Sequence, residues 1–252
     1  MSAILITGSN RGIGRAIATE FAHRGHRVVA TARDPRALAD LDVDQRLALD
    51  VSDDASVTAA IKAAGDIDIV IANAGVIFYA AVEATPLSEL QRLLNLNTVG
   101  AVRVAQAVLP QMRARGGGKL LFMSSVLGRI VLPPAAAYAA TKWALEALVE
   151  ALSIEAAPFG VQAALLEPGA VSSGALDDVT TYTLADDPYA AILADGGLRA
   201  GLITPEQVAL EVVDAAEKPQ LPLRIPIGDA ARAVLAARRA APADVAFIPG
   251  VG

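Results

Sequence analysis

Residues 7–14 read Thr7-Gly8-Ser9-Asn10-Arg11-Gly12-Ile13-Gly14. The apolar run Ala3-Ile4-Leu5-Ile6 stands before them, and Ile13, Ile17, Ala18 and Phe21 follow at helical spacing. The stretch therefore predicts a strand, a tight glycine turn and a helix. Such a turn suits an anion: the helix start offers unpaired backbone N–H groups and a partial positive charge. Gly8 and Gly12 would let backbone approach a pyrophosphate, and Gly14 would let the helix lie close to the strand. The spacing is G-x-x-x-G-x-G rather than the G-x-G-x-x-G of the usual dinucleotide turn. Glycines placed only for turning would read the same, so the turn by itself leaves both readings open.

Outward from the turn, short β-type runs alternate with helical patterns. The expected strands are Ala3–Thr7, Arg27–Ala32, Arg46–Asp50, Ile67–Ala72, Lys119–Met123, Val161–Glu167 and Leu223–Ile227. Helices are expected from near Gly12, Pro35, Asp53, Pro86, Ala135 and Pro205. Thr85-Pro86 and Thr204-Pro205 each offer a capping hydroxyl before a proline at the first helical position. The strands are apolar on both faces, as in a parallel sheet covered by helices on each side. The fold class is doubly wound α/β, read as one dinucleotide-binding catalytic domain over 1–252. Residues 172–203 break the rhythm and hold Gly174, Pro188, Gly196 and Gly197. A loop of that length predicts a substrate-binding segment.

Composition narrows the function classes. The chain has 252 residues, 54% hydrophobic and 19% charged, with a net charge of −6 and no basic run. That speaks against a nucleic-acid partner. There is no cysteine, which removes disulfides, thiolate catalysis and cysteine metal sites. The two histidines, His23 and His26, flank a helix end and are expected at the surface, so no metal is expected. The N-terminus lacks a signal-peptide pattern, and no run of 18 apolar residues predicts a membrane span. A cytoplasmic protein is expected.

Two places carry chemistry beyond the turn. The second strand ends Thr31-Ala32-Arg33, where an NAD site would place an acid for the adenosine ribose. A carboxylate there would repel a 2′-phosphate, whereas a guanidinium would bind it as a fork. Arg33, with Arg11 reaching from the turn, therefore predicts NADP(H) over NAD(H). Asp34 precedes Pro35 and is expected to cap the next turn. Second, Tyr138 and Lys142 lie four apart, on one face of a helix. A lysine ammonium there would lower the phenol pKa and make it a proton shuttle near neutral pH. Tyr-x-x-x-Lys alone is equally an ordinary amphipathic helix surface.

Taken together, Thr7-Gly8-x-x-x-Gly12-x-Gly14, Asn73-Ala74-Gly75, Ser125, Tyr138-x-x-x-Lys142 and Pro168-Gly169, in this order, resemble the short-chain dehydrogenase/reductase family. The resemblance spans essentially the whole chain and implies a Rossmann-type, seven-stranded parallel sheet. It implies that Tyr138 passes a proton to or from the substrate oxygen, that Lys142 lowers its pKa and holds the nicotinamide ribose, and that Ser125 polarises the substrate oxygen. Asn97 would keep a water in a relay towards Lys142. The dinucleotide would meet the turn (Gly8, Ser9, Asn10, Arg11, Gly12, Ile13 and Gly14), Arg33, Asp50-Val51 at the adenine, and Asn73, Ala74 and Gly75. Pro168, Gly169, Val171 and Ser173 would border the nicotinamide. Ser124, next to Ser125, is expected to be structural. Three positions depart from the family pattern: Ala72 replaces an asparagine, Ser173 a threonine, and Phe78-Tyr79-Ala80-Ala81 a glycine-richer stretch.

Substrate contacts are expected from Phe78, Tyr79, Ser125, Leu127, Pro134 and Tyr138, with Val131, Leu132, Val171 and the long loop, including Tyr182 and Tyr189, nearby. These mostly apolar residues suit a hydrophobic ketone, aldehyde or secondary alcohol. In the family, helices equivalent to Pro86–Arg113 and Ala135–Ala157 form subunit contacts, so a homodimer or homotetramer is implied. The leading reading is an NADPH-dependent carbonyl reductase. An NAD-dependent alcohol dehydrogenase of the same family and a non-catalytic dinucleotide sensor are the alternatives. Dehalogenase-type chemistry on this fold would need a disrupted glycine turn and an arginine for the lysine, and the chain has neither.

Overall fold

The computed structural model describes residues 1–174, 179–191 and 201–247. Strand β1 (Ala3–Ile6) runs into the glycine turn and helix α1 (Gly12–His23), followed by β2 (Arg27–Ala32), a 3₁₀ turn at Pro35–Leu38 and β3 (Gln45–Ala48). Then come α2 (Asp54–Ala64), β4 (Ile69–Ala72), the two-residue β5 (Phe78–Tyr79), α3 (Leu87–Leu94), a π-helical turn at Asn95–Val99 and α4 (Gly100–Arg115). The second half holds β6 (Gly118–Met123), a 3₁₀ turn at Val126–Gly128, α5 (Ala136–Ala156), β7 (Val161–Pro168) and the two-residue β8 (Thr180–Thr181). It closes with α6 (Pro205–Glu217), β9 (Arg224–Ile227) and α7 (Asp229–Ala240).

Seven strands form one parallel sheet in the order β3-β2-β1-β4-β6-β7-β9. Its strands are apolar on both faces because both faces are covered. Leu5, Val29, Val70, Leu120, Phe122 and Leu165 point to one side, against α2, α4 and α5. Ile4, Ile6, Val28, Ala30, Ile71 and Leu121 point to the other, against α1 and α6. Strand order reverses between β1 and β4, and the crevice beyond the carboxyl ends of these strands is where such sheets receive ligands.

Local chemistry explains most boundaries and corrects several. Asp53 caps α2 by accepting from the Ser56 N–H at 2.9 Å. Thr204 and Gln207 form a reciprocal capping box at α6. At Thr85-Pro86 the expected cap is absent: the Thr85 hydroxyl donates to the Ala81 carbonyl at 2.9 Å, and the helix starts one residue later, at Leu87. The helix expected from Pro35 is one 3₁₀ turn, capped by Asp34 as expected. The long helix from Pro86 is interrupted by the π turn, and α7 follows the last strand, which the alternation of patterns does not predict. His23 is exposed, but the His26 side chain is only 12% exposed, set edge-on against Phe21 and bonded to Glu217.

The loop expected over 172–203 is pinned in the described residues at both ends. Val171 pairs with Ile203, and the Ser172 N–H donates to the Ile203 carbonyl at 2.9 Å. β8 pairs in parallel with β5, and the Tyr182 N–H donates to the Tyr79 carbonyl at 3.1 Å. Gly196 and Gly197 lie outside the described residues. Among the described residues no helix is long and apolar enough to cross a membrane.

Candidate active site

The carboxyl ends of β1, β4, β6 and β7 surround a cleft of about 660 Å³. Its first wall is the glycine turn, where the chain is drawn tightly together. A Cβ on Gly14 would lie 2.2 Å from the Gly8 carbonyl oxygen and 2.4 Å from Asn73 Nδ2, so α1 starts closer to the turn than any side chain allows. Gly8 and Gly12 have φ of 71° and 54°, which favours glycine. The Thr7 hydroxyl oxygen accepts from the Asn73 and Ala74 N–H groups, both at 3.0 Å. The Asn73 amide donates back to the Thr7 and Gly8 carbonyls at 2.9 and 3.3 Å. Asn73 therefore holds β4 to the turn and also lines the cleft, on the side where an adenosine contact is expected of it. Ser9 is redirected: fully buried, it donates to the Ile6 carbonyl and does not line the cleft.

Asn10, Arg11, Gly12, Ile13, Arg33, Asp50 and Val51 do line it, with Ala74, Gly75, Pro168, Gly169, Val171 and Ser173. Ala32 is buried at the end of β2, with the exposed Arg33 beside the cleft. Asp50 is held below the usual carboxylate range, first by the Ser52 hydroxyl at 2.5 Å and the Ser52 N–H, then by the charges of Arg33 and Arg103. A Cβ on Gly12 would lie 3.0 Å from the Ser173 carbonyl oxygen, so the chain after β7 closes directly over the turn.

The opposite wall brings Ser125, Tyr138 and Lys142 together. Ser125 lies two residues past β6 and caps the turn Val126–Gly128, its oxygen accepting from the Leu127 N–H at 3.1 Å. The Tyr138 phenol meets the Ser125 hydroxyl. Burial raises the phenol above its ordinary value; the Ser125 contact opposes this, and Tyr79 adds to it. The Lys142 ammonium lies 5.6 Å from the Tyr138 ring centre and donates to the Met123 carbonyl at 2.7 Å. Burial pushes it down to about 8, with Glu146 opposing. In the protein alone, then, burial holds the phenol above its ordinary value.

Asn97 occupies the π turn, a feature that often marks functional sites. It is 1% exposed and does not line the cleft. Its amide clasps Val76, accepting from the N–H at 2.9 Å and donating to the carbonyl at 3.0 Å, and reaches the Thr141 hydroxyl at 3.2 Å. Gly75 separates Asn97 Oδ1 from Lys142 Nζ.

On the substrate side, Tyr79, Leu127, Leu132, Pro134 and Val171 line the cleft, but Phe78 does not. Phe78 is fully buried with Ala80, Leu93 and Ala137, because β5 alternates and sends one side chain to each face. Val131 is 48% exposed and points elsewhere. Tyr182 stacks obliquely on Phe78 at 5.5 Å, and Tyr189 donates to Glu83 at 2.6 Å; both hold the loop and neither lines the cleft. Thr180 of the long loop lines it too, and the sequence reading missed Arg92, Leu96 and Ile77, which do as well. Arg92 and Leu96 precede Asn97 on the same helical run, a position that periodicity could have flagged.

A parallel, doubly wound sheet with a glycine-lined cleft at its switch point and a serine–tyrosine–lysine cluster opposite defines a nicotinamide-dinucleotide oxidoreductase. A family model described as short chain dehydrogenase matches residues 2–182. The chain belongs to the short-chain dehydrogenase family. It is 34% identical over 242 residues to oxidoreductase BOA17 of Botryotinia fuckeliana, covering 88% of this chain and 87% of that one. It is 33% identical over 193 residues to 3-ketodihydrosphingosine reductase of Bacteroides thetaiotaomicron, covering 74% and 71%. A short-chain dehydrogenase from Streptomyces avermitilis superposes with a TM-score of 0.86 at 33% identity, over 95% of this chain and 93% of that one. An alcohol dehydrogenase from Thermococcus sibiricus, complexed with 5-hydroxy-NADP, superposes with a TM-score of 0.73 at 28% identity, over 89% and 95%.

Proposed function

We propose that this oxidoreductase reduces an apolar ketone or aldehyde to an alcohol, with NADPH preferred over NADH. The observation that carries the reading is the Tyr138 phenol, kept protonated by burial and set against Ser125 in the cleft wall. A group that holds its proton at neutral pH suits donation to a carbonyl oxygen. Ser125 would hold that oxygen, and Lys142, one helical turn on, would supply the positive charge that stabilises the phenolate left behind. The bound nicotinamide supplies the hydride.

The dinucleotide fits the close-packed turn, since Gly8, Gly12 and Gly14 leave backbone where side chains would stand. The phosphate preference is argued from Arg33 beside Asp50, with no acid at position 32. The reductase name of the Bacteroides relative and the NADP analogue held by the Thermococcus protein agree with this reading. The exposed Val99 on the π turn, and Trp143, Leu148 and Ile154 on α5, are offered as the surface through which copies associate. A panel of ketones and aldehydes, read by NADPH and NADH oxidation, tests the assignment. Turnover more efficient with NADPH than with NADH supports it; equal or tighter binding of NADH overturns the preference.

A further inference from the structure

Helix α5 is tied to the end of β6 at two successive turns. Lys142 donates to the Met123 carbonyl at 2.7 Å. One turn on, Glu146 Oε1 accepts from the Ser124 hydroxyl at 2.6 Å, and Glu146 Oε2 accepts from Arg224 Nε at 2.8 Å. The two ties bracket the chain just before Ser125. Glu146 is 4% exposed, so its charge is unscreened by water. A Cβ on Gly128 would lie 2.7 Å from Ser124 Oγ and 3.0 Å from Glu146 Cγ. The short turn that begins at Ser125 is thus seated directly on the Ser124–Glu146 hydrogen bond.

We propose that Glu146 is a positioning residue of the active site: through Ser124 it fixes the turn that presents Ser125, and it is the buried counter-ion of Lys142. The proposal rests on the reading of Ser125, Tyr138 and Lys142 as the reacting groups. A carboxylate in this place opposes the desolvation of the lysine, and Glu146 raises the Lys142 pKa that burial lowers. Arg224 from β9 pairs with it, and the charge of Glu167 from β7 faces it; around these two, Glu150 from α5 pairs with Arg224, and Arg129, after the serine turn, and Arg239 from α7 face Glu167. Arg224 divides itself between Glu146 and Glu150, and stands 3.9 Å from Glu167. Burial, then the charge of Glu146, pushes the Glu167 carboxyl up to about 7. A purely structural ion pair would stabilise the fold in the same way but would leave the alkaline limb of the enzyme untouched.

The test compares Glu146→Gln, Glu146→Asp and Ser124→Ala in the full chain, with Tyr138→Phe as control. Two readouts are followed against pH: NADPH binding by nicotinamide fluorescence, and kcat for a reduced ketone. Glu146→Gln should lower kcat about tenfold, the scale of a small misplacement of a reacting group. Its NADPH binding should hold at pH 7 but weaken at a lower alkaline pH than in the wild type. Ser124→Ala should lose kcat with the alkaline limb unmoved, because the charge remains. Glu146→Asp should do the same, and it decides the matter with Ser124→Ala if the glutamine variant does not fold. Wild-type kcat and an unmoved limb in Glu146→Gln overturn the proposal, as does a limb moved by Glu146→Asp. An active Tyr138→Phe overturns the reading of the reacting groups instead, and the NADPH-binding limb then still decides the counter-ion.

Discussion

The two halves of the cleft are made of different material. The dinucleotide half, at the ends of β1, β2 and β4, is built from backbone and small residues, with contacts so close that a single Cβ on Gly14 has no room. The substrate half is built from side chains carried on short pieces: β5, the turn after Ser125, the Pro133-Pro134 stretch and the chain around β8. The first half is specified by what is missing from the sequence, the second by what long-range packing brings together. The difference teaches where a sequence is explicit: steric exclusion writes glycine at fixed spacing, while pocket walls accept many apolar residues.

The largest expected effect lies where the halves meet. Tyr138→Phe removes the proton donor and little volume, so ketone reduction should fall about a thousandfold, with NADPH affinity, read by fluorescence titration, nearly unchanged. Full activity in this variant would break the assignment of the substrate half.

Next comes the dinucleotide half itself. Gly14→Ala forces a methyl onto the Gly8 carbonyl and the Asn73 amide. It should destabilise the fold by about 3 kcal/mol or more in chemical denaturation, at the upper end for overpacking. A well-folded alanine variant that still binds dinucleotide would show that the turn has slack.

Arg33→Ala should weaken NADPH by about 1–3 kcal/mol, the scale of a charge-assisted contact, and leave NADH unaffected. Isothermal titration with both cofactors checks it, and equal losses for the two would remove the 2′-phosphate from the argument.

Much of this was legible in the chain. The seven strands were expected within about two residues, because the inner strands β1, β2, β4, β6 and β7 are largely apolar and buried on both faces, while the edge strands β3 and β9 follow from the alternation with helices. Ser125, Tyr138 and Lys142 come together as their spacing implied. What could not be read needed partners distant in sequence. Asn73 and Ser9 turn towards carbonyls of β1 and the turn. Phe78 and Tyr79 were both expected in the cleft, but only Tyr79 lines it, because a strand of two residues sends one side chain to each face. The cluster of Glu146, Glu167 and Arg224 joins three elements and has no local signature. The depth at which Tyr138 and Lys142 lie was not legible either: burial raises the phenol and lowers the ammonium.

A smaller effect probes the base of the substrate half. The Glu167 carboxyl is raised from 4.5 to about 7 by burial and by Glu146. Between those values the folded chain keeps a proton that the unfolded chain has released, so this group makes stability fall as pH rises through that window. Glu167→Gln stays neutral, so its stability should be flatter there and exceed the wild type at pH 8 by about 1–2 kcal/mol. Parallel stability profiles would show that Arg224 compensates fully. The smallest effect is expected from Tyr189→Phe: its bond to Glu83 is exposed, so stability should change by less than about 0.5 kcal/mol. A rise in KM for bulky ketones without a change in Tm would place the lid contact in substrate capture.

The pairing of Val171 with Ile203 has a consequence for how such an enzyme diverges. The chain departs just after β7 and returns beside the same point just before α6, fastened there by its own backbone. Whatever runs between the two residues begins and ends at one staple, so its length and composition can be exchanged without shifting Pro168 or Tyr138. The stretch can then change as a unit while the frame that carries Tyr138 and Lys142 stays put. Grafting the corresponding stretch of a relative between Val171 and Ile203 tests whether substrate range travels with it.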